Sequence, residues 1–170
     1  MSRGAIKKNT IAAKNAADDQ FFGHSDVNKL IKMLMKSGKL QLAQSIVSKA
    51  LLRVVEKRNP SANGPERFQS AVALFEEVIE KGAPALEVRT KRVGGANYQV
   101  PVEISVTRRK ALLFRWILAT SRKMVGSMHD KLAKVLIEIL EGRGDVLRKR
   151  DELHKMAAAN RVFQNLGGRK

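Results

Sequence analysis

The amino-acid sequence predicts a mainly α fold, in which a bundle-like body of six helices bears one protruding antiparallel β-hairpin between the third and fourth helices. Three observations support this prediction. Six segments repeat apolar residues at helical spacing, one segment alternates with a period of two, and glycine or proline stands at most of the boundaries. With 170 residues and a hydrophobic content of 44%, the chain can bury a sizeable core.

Three helices are predicted before the hairpin, at about residues 25–36, 40–57 and 65–81. An N-cap signal at Ser25-Asp26 opens the first helix, and Pro65 suits the first turn of the third. The predicted inward positions are Val27, Leu30, Ile31, Leu34, Leu42, Ile46, Ala50, Val54, Phe68, Val72, Phe75, Val78 and Ile79.

The hairpin is predicted at about residues 86–104, around a turn signal at Gly94-Gly95. A loop of three or five residues gives the hairpin one apolar face, whereas a two-residue loop shifts the register by one and mixes polar with apolar residues. We therefore predict the longer loop. Its cost is a pair of facing carboxylates, which needs a cation or solvent nearby. The predicted pairs are Leu86 with Ile104, Val88 with Val102, Thr90 with Val100 and Glu87 with Glu103.

Three further helices are predicted after the hairpin. The first runs from about Thr107 to Met124, and the second follows a cap at Ser127. The last spans about Asp145 to Gln164 and is strongly basic at its start. The predicted inward positions of the first two are Leu112, Leu113, Trp116, Ile117, Thr120, Leu132, Leu136, Ile139 and Leu140.

The charge balance indicates an anionic partner. The chain has 33 Lys+Arg against 16 Asp+Glu, a formal net charge of +17, and self-repulsion of that size opposes compaction unless an anion relieves it. Nucleic acid and an anionic membrane surface are the two candidates. The charge is uneven, since residues 86–125 hold nine cations and two carboxylates whereas residues 64–81 hold two cations and four carboxylates. We expect the first region to face the anion and the second to face solvent or protein.

Composition and motifs exclude several classes of protein. The chain has no cysteine, which excludes a disulfide scaffold and a cysteine-ligated zinc site, and no apolar run reaches the roughly 18 residues of a membrane span. His24, His129 and His154 lack metal-ligand spacing, and no nucleotide-binding loop or nucleophile motif is present. We expect no enzyme activity, metal, cofactor or small-molecule substrate. We expect the protein to work in a reducing compartment.

Two clusters of cations stand at predicted helix starts, Arg108-Arg109-Lys110 and Arg148-Lys149-Arg150. Cations at that end oppose the helix dipole by roughly 0.3–1 kcal/mol each. A phosphate would reverse the sign, because the backbone N–H groups and the cations would then attract the same group. Both clusters are therefore predicted to bind nucleic acid, and exposed cations kept for solubility are the alternative.

The hairpin gives a second indication of an RNA partner. A two-stranded ribbon is only marginally stable alone, so an extended one needs a surface to lie against. Arg89, Lys91 and Arg92 supply charge, and Tyr98 supplies a ring that could stack on a base or equally pack on its own protein. Gly94-Gly95 allows close backbone approach at the tip. The other aromatic residues stand at helical spacing, so recognition by shape and phosphate contact is expected to dominate. Residues 1–24 are therefore predicted to form a basic N-terminal arm and residues 25–170 a single helical RNA-binding domain.

Several stretches of the chain resemble one protein family. LEVRTKRVGGANYQVPVEISVTRRKALLFRWI, at residues 86–117, is similar to the signature of the seventh small-subunit ribosomal protein family. SGKLQLA (37–43), SMHDKLAKVLIEIL (127–140) and GDVLRKRDELHKMAAANRVF (144–163) continue the pattern in order. The resemblance covers roughly residues 26–163 and is highly specific.

The resemblance implies a structural constituent of the small ribosomal subunit. It implies primary binding to the 3′ major domain of small-subunit rRNA, where the protein nucleates head assembly. It also implies a position near the exit-site tRNA and the mRNA exit channel, among neighbours that include the eleventh small-subunit protein. The compartment would be the bacterial cytoplasm or an organelle, mitochondrion or plastid. The hairpin tip that would point toward the tRNA is Gly94, Gly95, Ala96 and Tyr98.

The predicted rRNA-binding residues combine the positions matched to the family with the two cation clusters and the N-terminal arm. The family's arginine-rich start is diluted in this chain, and its aromatic ending is replaced by VFQNLGGRK, so contacts at both ends are expected to differ. The predicted set is Arg3, Lys7, Lys8, Lys36, Lys39, Arg89, Lys91, Arg92, Arg108, Arg109, Lys110, Arg115, Arg122, Arg148, Lys149, Arg150, His154, Asn160 and Arg161.

Two other functions are compatible with the charge taken alone. A peripheral membrane-binding protein would need basic residues opposite an insertable apolar face, but each apolar stripe already has an interior use. A DNA-binding architectural protein is the second alternative, and competition between duplex DNA and folded rRNA distinguishes it.

Overall fold

Six α-helices and one antiparallel hairpin follow one another in the predicted order in the computed structural model, which describes residues 23–60 and 65–166. The mainly α class and the position of the hairpin between the third and fourth helices are confirmed. Arg3, Lys7 and Lys8 of the predicted arm lie outside the described residues. The elements are α1 (Ser25–Leu34), α2 (Leu40–Arg58), α3 (Pro65–Gly82), β1 (Leu86–Val93), β2 (Ala96–Glu103), α4 (Val106–Lys123), α5 (Met128–Leu140), α6 (Asp145–Ala159) and a closing 3₁₀ helix (Arg161–Leu166).

Helix α5 lies at the centre of the helical body. It packs most extensively on α2 and also on α3, α4 and α6. A helix can occupy such a position only when it is apolar around most of its circumference, and α5 meets that condition. Helix α1 packs against α2 and α4 through its four predicted inward residues, all of which are buried. The buried residues of α5 are Leu132, Ala133, Val135, Leu136, Ile137, Ile139 and Leu140.

The predicted inward face of α2 is wrong at its first position. Leu42 is 58% exposed, whereas the adjacent Ala43 is buried. The prediction followed a row of residues spaced by four, which advances by about 400° per step and so drifts around a helix of 3.6 residues per turn. Further along, the helix buries Val47, Ala50 and Val54.

The hairpin register differs from the predicted one. Arg89 lies opposite Val100, the loop is the two-residue turn Gly94-Gly95, and the prediction of a longer loop is wrong. Both glycines have positive φ, 58° and 86°, as a type I′ turn requires and as only glycine adopts at little cost. The observed pairs include Leu86 with Glu103, Glu87 with Val102, Val88 with Pro101 and Thr90 with Gln99.

The base of the hairpin tolerates this register because both of its faces are covered. Glu87 and Val100 are buried on one face, and Pro101 is buried on the other. Helix α6 packs against β1, and the 3₁₀ helix packs against β2. The prediction assumed that only one face of the hairpin contacts the helical body. A face that mixes polar with apolar residues was therefore expected to cost free energy. The predicted cross-strand pair of Glu87 with Glu103 does not form, because Glu87 lies opposite Val102.

Helix α6 ends at Ala159, earlier than the predicted end near residue 164. The Met156 carbonyl oxygen accepts both the Asn160 side-chain amide at 2.8 Å and the Asn160 backbone N–H at 3.2 Å. The chain then tightens into the 3₁₀ helix, which brings Phe163 against the hairpin.

The N-cap residue differs from the predicted one in α1 and agrees with it in α5. His24, and not Ser25, occupies the N-cap position of α1. Ser127 occupies the N-cap position of α5 as predicted, and its hydroxyl donates to the Asp130 carboxylate and makes no bond to a backbone N–H.

Candidate nucleic-acid interface

The first turns of α4 present Arg108, Arg109 and Lys110, and each of them has a partner within the protein. The internal partners offset the cost of placing cations at the positive end of the helix dipole. The two explanations considered from the sequence, a phosphate or solvent, are therefore incomplete. The partners are the Glu87 carboxylate at 3.1 Å, the Pro84 carbonyl oxygen at 2.9 Å and the Asp26 carboxylate at 2.5 Å, respectively.

Glu87 is the buried centre of an ion cluster at the base of the hairpin. Its side chain is 9% exposed, whereas those of Arg89 and Arg108 are 60% and 44% exposed. Arg89 Nε donates to one carboxylate oxygen at 2.5 Å, and Arg108 Nε donates to the other. Burial by itself raises the pKa of Glu87, but the hydrogen bonds from Arg89 and Arg108 outweigh it and hold the pKa below its ordinary 4.5. The ionised carboxylate thereby links β1 to the start of α4.

Asp26 makes a similar link between α1 and α4. Its side chain is 8% exposed and contacts Lys110 Nζ at 2.5 Å and Lys29 Nζ at 3.4 Å. Burial raises the pKa of Asp26, but the hydrogen bonds and charges of Lys110 and Lys29 hold it below its ordinary 3.8. Lys110, which the sequence assigned to RNA binding, is thus engaged in holding two helices together.

Three side chains from α4 and α6 hold the connection between α3 and β1, and we call them the root clamp: Arg109, Arg150 and His154. Arg109 and His154 bond to the backbone of that connection, and Arg150 bonds to the backbone of the last turn of α3 just before it. All three belong to the predicted rRNA-binding set, and each has at least one polar atom directed at the protein itself. The root clamp fixes the direction in which the hairpin leaves the body. Arg109 donates to the Pro84 carbonyl at 2.9 Å, Arg150 donates to the Lys81 carbonyl, and His154 Nε2 accepts from the Ala85 N–H at 3.1 Å.

One of the cations at the start of α6 is paired with carboxylates of the same helix. Arg148 contacts Asp145 at 2.9 Å and Glu152 at 3.9 Å, which are the i,i+3 and i,i+4 neighbours that a helix brings together. The Lys149 side chain has no hydrogen bond or ion pair to any residue that the structure describes. Of the cluster at residues 148–150, Lys149 therefore keeps its charge available for a partner.

Lys36, Lys39 and Arg122 converge on one cleft of about 440 Å³, which we call the cationic cleft. Within residues 23–60 and 65–166, none of the three side chains has a hydrogen bond or ion pair. The α1–α2 turn supplies the two lysines, and the last turn of α4 supplies the arginine. The apolar walls of the cationic cleft are formed by Leu34, Met35, Leu42, Ala43, Ile46 and Met128.

The outer half of the hairpin combines exposed cations with a ring contact. Arg92 is exposed near the tip, and Gly94-Gly95 is exposed at it. The Tyr98 ring lies 5.3 Å from the Phe163 ring, centroid to centroid. Of the two uses foreseen for Tyr98, packing on its own protein is the one observed. Arg161, beside Phe163, has no ion pair in the described part of the chain.

Ion pairs join some of the charges on α2, α3 and the α5 region, whereas other cations on α2 and α5, among them Lys49, Arg58 and Lys134, are exposed. The pairs are Arg53 with Asp130, Arg67 with Glu56, and Lys57 with Glu141 at 3.6 Å.

Sequence reasoning missed the two carboxylates that organise the cations, Asp26 and Glu87, as well as the ring contact of Phe163. Glu87 was noted only as a cost of the wrong register. The available signal was an acidic residue inside an otherwise apolar and cationic strand.

Metal and membrane sites were also considered. In the part of the chain that the structure describes, no group of three or more His, Asp and Glu side chains is placed to hold a metal ion. No described helix is both long and apolar enough to cross a membrane.

Comparisons with known proteins find one family model and several relatives that match most of the chain. Residues 2–161 match the family model described as "Ribosomal protein S7p/S5e". The chain is 41% identical over 160 residues to "Small ribosomal subunit protein uS7" of Psychrobacter sp. (strain PRwf-1), covering 94% of this chain and 97% of that protein. It is 39% identical over 158 residues to the protein of the same name from Xylella fastidiosa (strain M23), covering 92% and 96%. The corresponding protein of Dichelobacter nodosus (strain VCS1703A) is 41% identical over 146 residues, covering 85% and 88%.

Proposed function

The chain belongs to the ribosomal protein S7p/S5e family, and from that premise we propose that it is a primary binder of the 3′ major domain of small-subunit rRNA and nucleates assembly of the subunit head. As a member of this family it is a structural constituent of the small ribosomal subunit in the cytoplasm, it binds rRNA, and it is not an enzyme. The proposal concerns which RNA it binds first and which of its residues make the contact.

The observation that best supports the proposal is the cationic cleft. Three exposed cations from two distant parts of the chain meet there without a carboxylate in the lining. Like charges that line one cleft repel one another, so the arrangement costs free energy in the isolated protein and is stabilised by an anion. A phosphate backbone supplies closely spaced anions, and its binding would release counterions. Lys36, Lys39 and Arg122 are therefore proposed phosphate contacts.

The internally bonded arginines retain donors for RNA. A guanidinium has five N–H donors, and the bonds of Arg108 and Arg109 to the protein use Nε. Their remaining donors can contact a phosphate while the side chain stays fixed. We include them with the partly exposed Arg89 and Arg150 in the proposed contact surface, together with Lys91, Arg92, Arg115, Arg148, Lys149, Asn160 and Arg161.

The hairpin tip is proposed to lie near the exit-site tRNA and the mRNA exit channel, with the eleventh small-subunit protein among the neighbours. The type I′ turn at Gly94-Gly95 and the adjacent Ala96 are exposed, which suits close approach of the backbone to RNA. Tyr98 is engaged by Phe163, so the tip contact is assigned to the turn and not to stacking on Tyr98.

The first prediction tests the cationic cleft. Replacing Lys36, Lys39 and Arg122 together by Ala is expected to weaken binding to a 3′ major domain fragment about 10- to 100-fold and to reduce the magnitude of the log–log salt slope by about 2–3, because phosphate contacts are lost. Filter binding at several salt concentrations measures both quantities, with duplex DNA as competitor.

A matched control replaces two lysines and one arginine that are exposed on α2 and α5, namely Lys49, Arg58 and Lys134. This variant has the same net charge as the cleft variant. Equal weakening by both variants would mean that net charge, and not the cleft, governs binding. Binding to duplex DNA as tight as to the rRNA fragment would contradict the proposed function.

A further inference from the structure

We propose that Glu87 is a positioning residue for rRNA binding, whose buried carboxylate holds the Arg89 and Arg108 guanidinium groups side by side toward the phosphate backbone. The inference rests on the proposed function and adds to it a residue whose own charge repels RNA. Glu87 touches no phosphate in this arrangement and acts through the two arginines.

Glu87 is buried, whereas the two arginines that it bonds are partly exposed. The Glu87 side chain is 9% exposed, and each of its oxygens is taken by a different arginine. Arg108 uses Nε in this contact and its side chain is 44% exposed, so its two terminal nitrogens are not needed for the bond to Glu87. Arg89 lies on the hairpin and Arg108 on the first turn of α4, so the same carboxylate also fixes the hairpin relative to the body.

Electrostatics explains why a carboxylate is needed there. Two adjacent guanidinium groups repel each other, and a negative charge between them offsets the repulsion. Arginine also loses considerable side-chain entropy when it is ordered. Because the bonds to Glu87 order both arginines before RNA arrives, less of that entropy is lost on binding. The cluster keeps a net charge of one positive unit for the phosphates.

The positioning role and the net charge predict opposite effects on RNA affinity when Glu87 is replaced. Removing a carboxylate from a phosphate-binding surface should tighten binding if only net charge matters. Removing Glu87 should weaken binding if it positions the arginines. Glu103 provides the control, because it lies on the neighbouring strand of the hairpin base, is exposed, and its side chain has no hydrogen bond or ion pair among the described residues.

The experiment measures the dissociation constants of the full-length wild type, Glu87→Gln and Glu103→Gln for a 3′ major domain rRNA fragment across a range of salt. Glu87→Gln is expected to weaken binding by about 5-fold or more. Glu103→Gln is expected to leave binding unchanged or to tighten it by less than about 3-fold. Equal or tighter binding by Glu87→Gln relative to the wild type would overturn the proposal.

A double-mutant cycle tests whether Glu87 acts through Arg108. In the Arg108→Ala background, Glu87→Gln is expected to lose at least about half of its effect on the logarithm of the dissociation constant, since coupled residues are not additive. Full additivity would overturn the positioning role.

A second variant keeps the proposal testable if Glu87→Gln fails to fold, which far-UV circular dichroism would show. Arg108→Lys preserves every charge but cannot donate to the carboxylate and a phosphate with the planar fork of arginine. It is expected to weaken binding by about 3-fold or more, and wild-type affinity would overturn the proposal. If the wild type prefers the rRNA fragment to duplex DNA while Glu87→Gln behaves like Glu103→Gln, only this inference fails. If the wild type shows no such preference, the proposed function itself fails.

Discussion

Single residues show how the protein handles cations at the start of a helix. The sequence indicated that Arg108, Arg109 and Lys110 need a compensating anion, and two buried carboxylates and one carbonyl provide much of that compensation. Lys110 is largely committed to Asp26, whereas Arg108 and Arg109 are bonded through Nε. A cation in an unfavourable position therefore indicates an anionic partner without specifying whether that partner is RNA or the protein.

Asp26 gives a residue-scale prediction about acid stability. Its pKa is lower in the folded protein than its ordinary 3.8, so its contribution to stability is fully present above that value and is lost as the pH falls through the lower folded pKa. Asp26→Asn is expected to reduce the free energy of unfolding by about 1–3 kcal/mol at neutral pH and to flatten its decline below about pH 4. Urea unfolding at several pH values measures this, with the exposed Glu80→Gln as control. An unchanged pH profile would show that the Asp26 pair contributes nothing.

At the scale of elements, the root clamp determines how the hairpin is held. On α6, Arg150 bonds to the backbone of the last turn of α3 and His154 to the backbone of the α3–β1 connection. The Ile104 N–H donates to the Ala85 carbonyl, which ties the end of β2 to the same connection. Gly82 permits close packing there, since a Cβ at that position would lie 2.7 Å from Leu113 Cδ1. The hairpin is thus oriented by α4 and α6 and not by its own two strands, which alone are only marginally stable.

Removing part of the root clamp should loosen the hairpin more than the body. Arg150→Ala combined with His154→Ala is expected to lower global stability by only about 1–2 kcal/mol while amide hydrogen exchange in β1 and β2 rises relative to α2 and α5. Arg148→Ala, on the same helix and paired with Asp145, is the control and should leave hairpin exchange unchanged. Equal acceleration in the hairpin and the helices would show that these residues support the whole fold and not the hairpin.

At the scale of the whole molecule, the net charge of +17 acts in opposite directions on stability and on binding. Self-repulsion destabilises the isolated protein, and salt screens it. Raising salt from about 0.05 to 0.3 M, across which the screening length shortens about 2.4-fold, is expected to raise the melting temperature. The same change is expected to weaken rRNA binding with a log–log slope of very roughly −4 to −9 if five to ten phosphates are contacted. Circular dichroism melts and filter binding test the two parts. A falling melting temperature would mean that internal ion pairs outweigh the repulsion, and a salt-independent affinity would contradict phosphate contact.

The sequence by itself determined the number and order of the helices, the place of the hairpin, most of the buried faces and the excess of cations. These features are local, because periodicity, helix breakers and turn glycines act over a few residues. The resemblance of residues 86–117 to a ribosomal family pointed to the family that residues 2–161 match. The sequence could not determine the register at Glu87, because that depended on whether one or both faces of the hairpin base are covered.

Only the tertiary structure decided which cations are committed to internal contacts and which are available to RNA. Lys110 meets a carboxylate 84 residues away in the chain, and Arg150 and His154 each bond to backbone 69 residues away. The cationic cleft likewise joins Lys36 and Lys39 to Arg122. Contacts over such separations have no local periodicity to reveal them, since they arise only when packed helices bring distant side chains together.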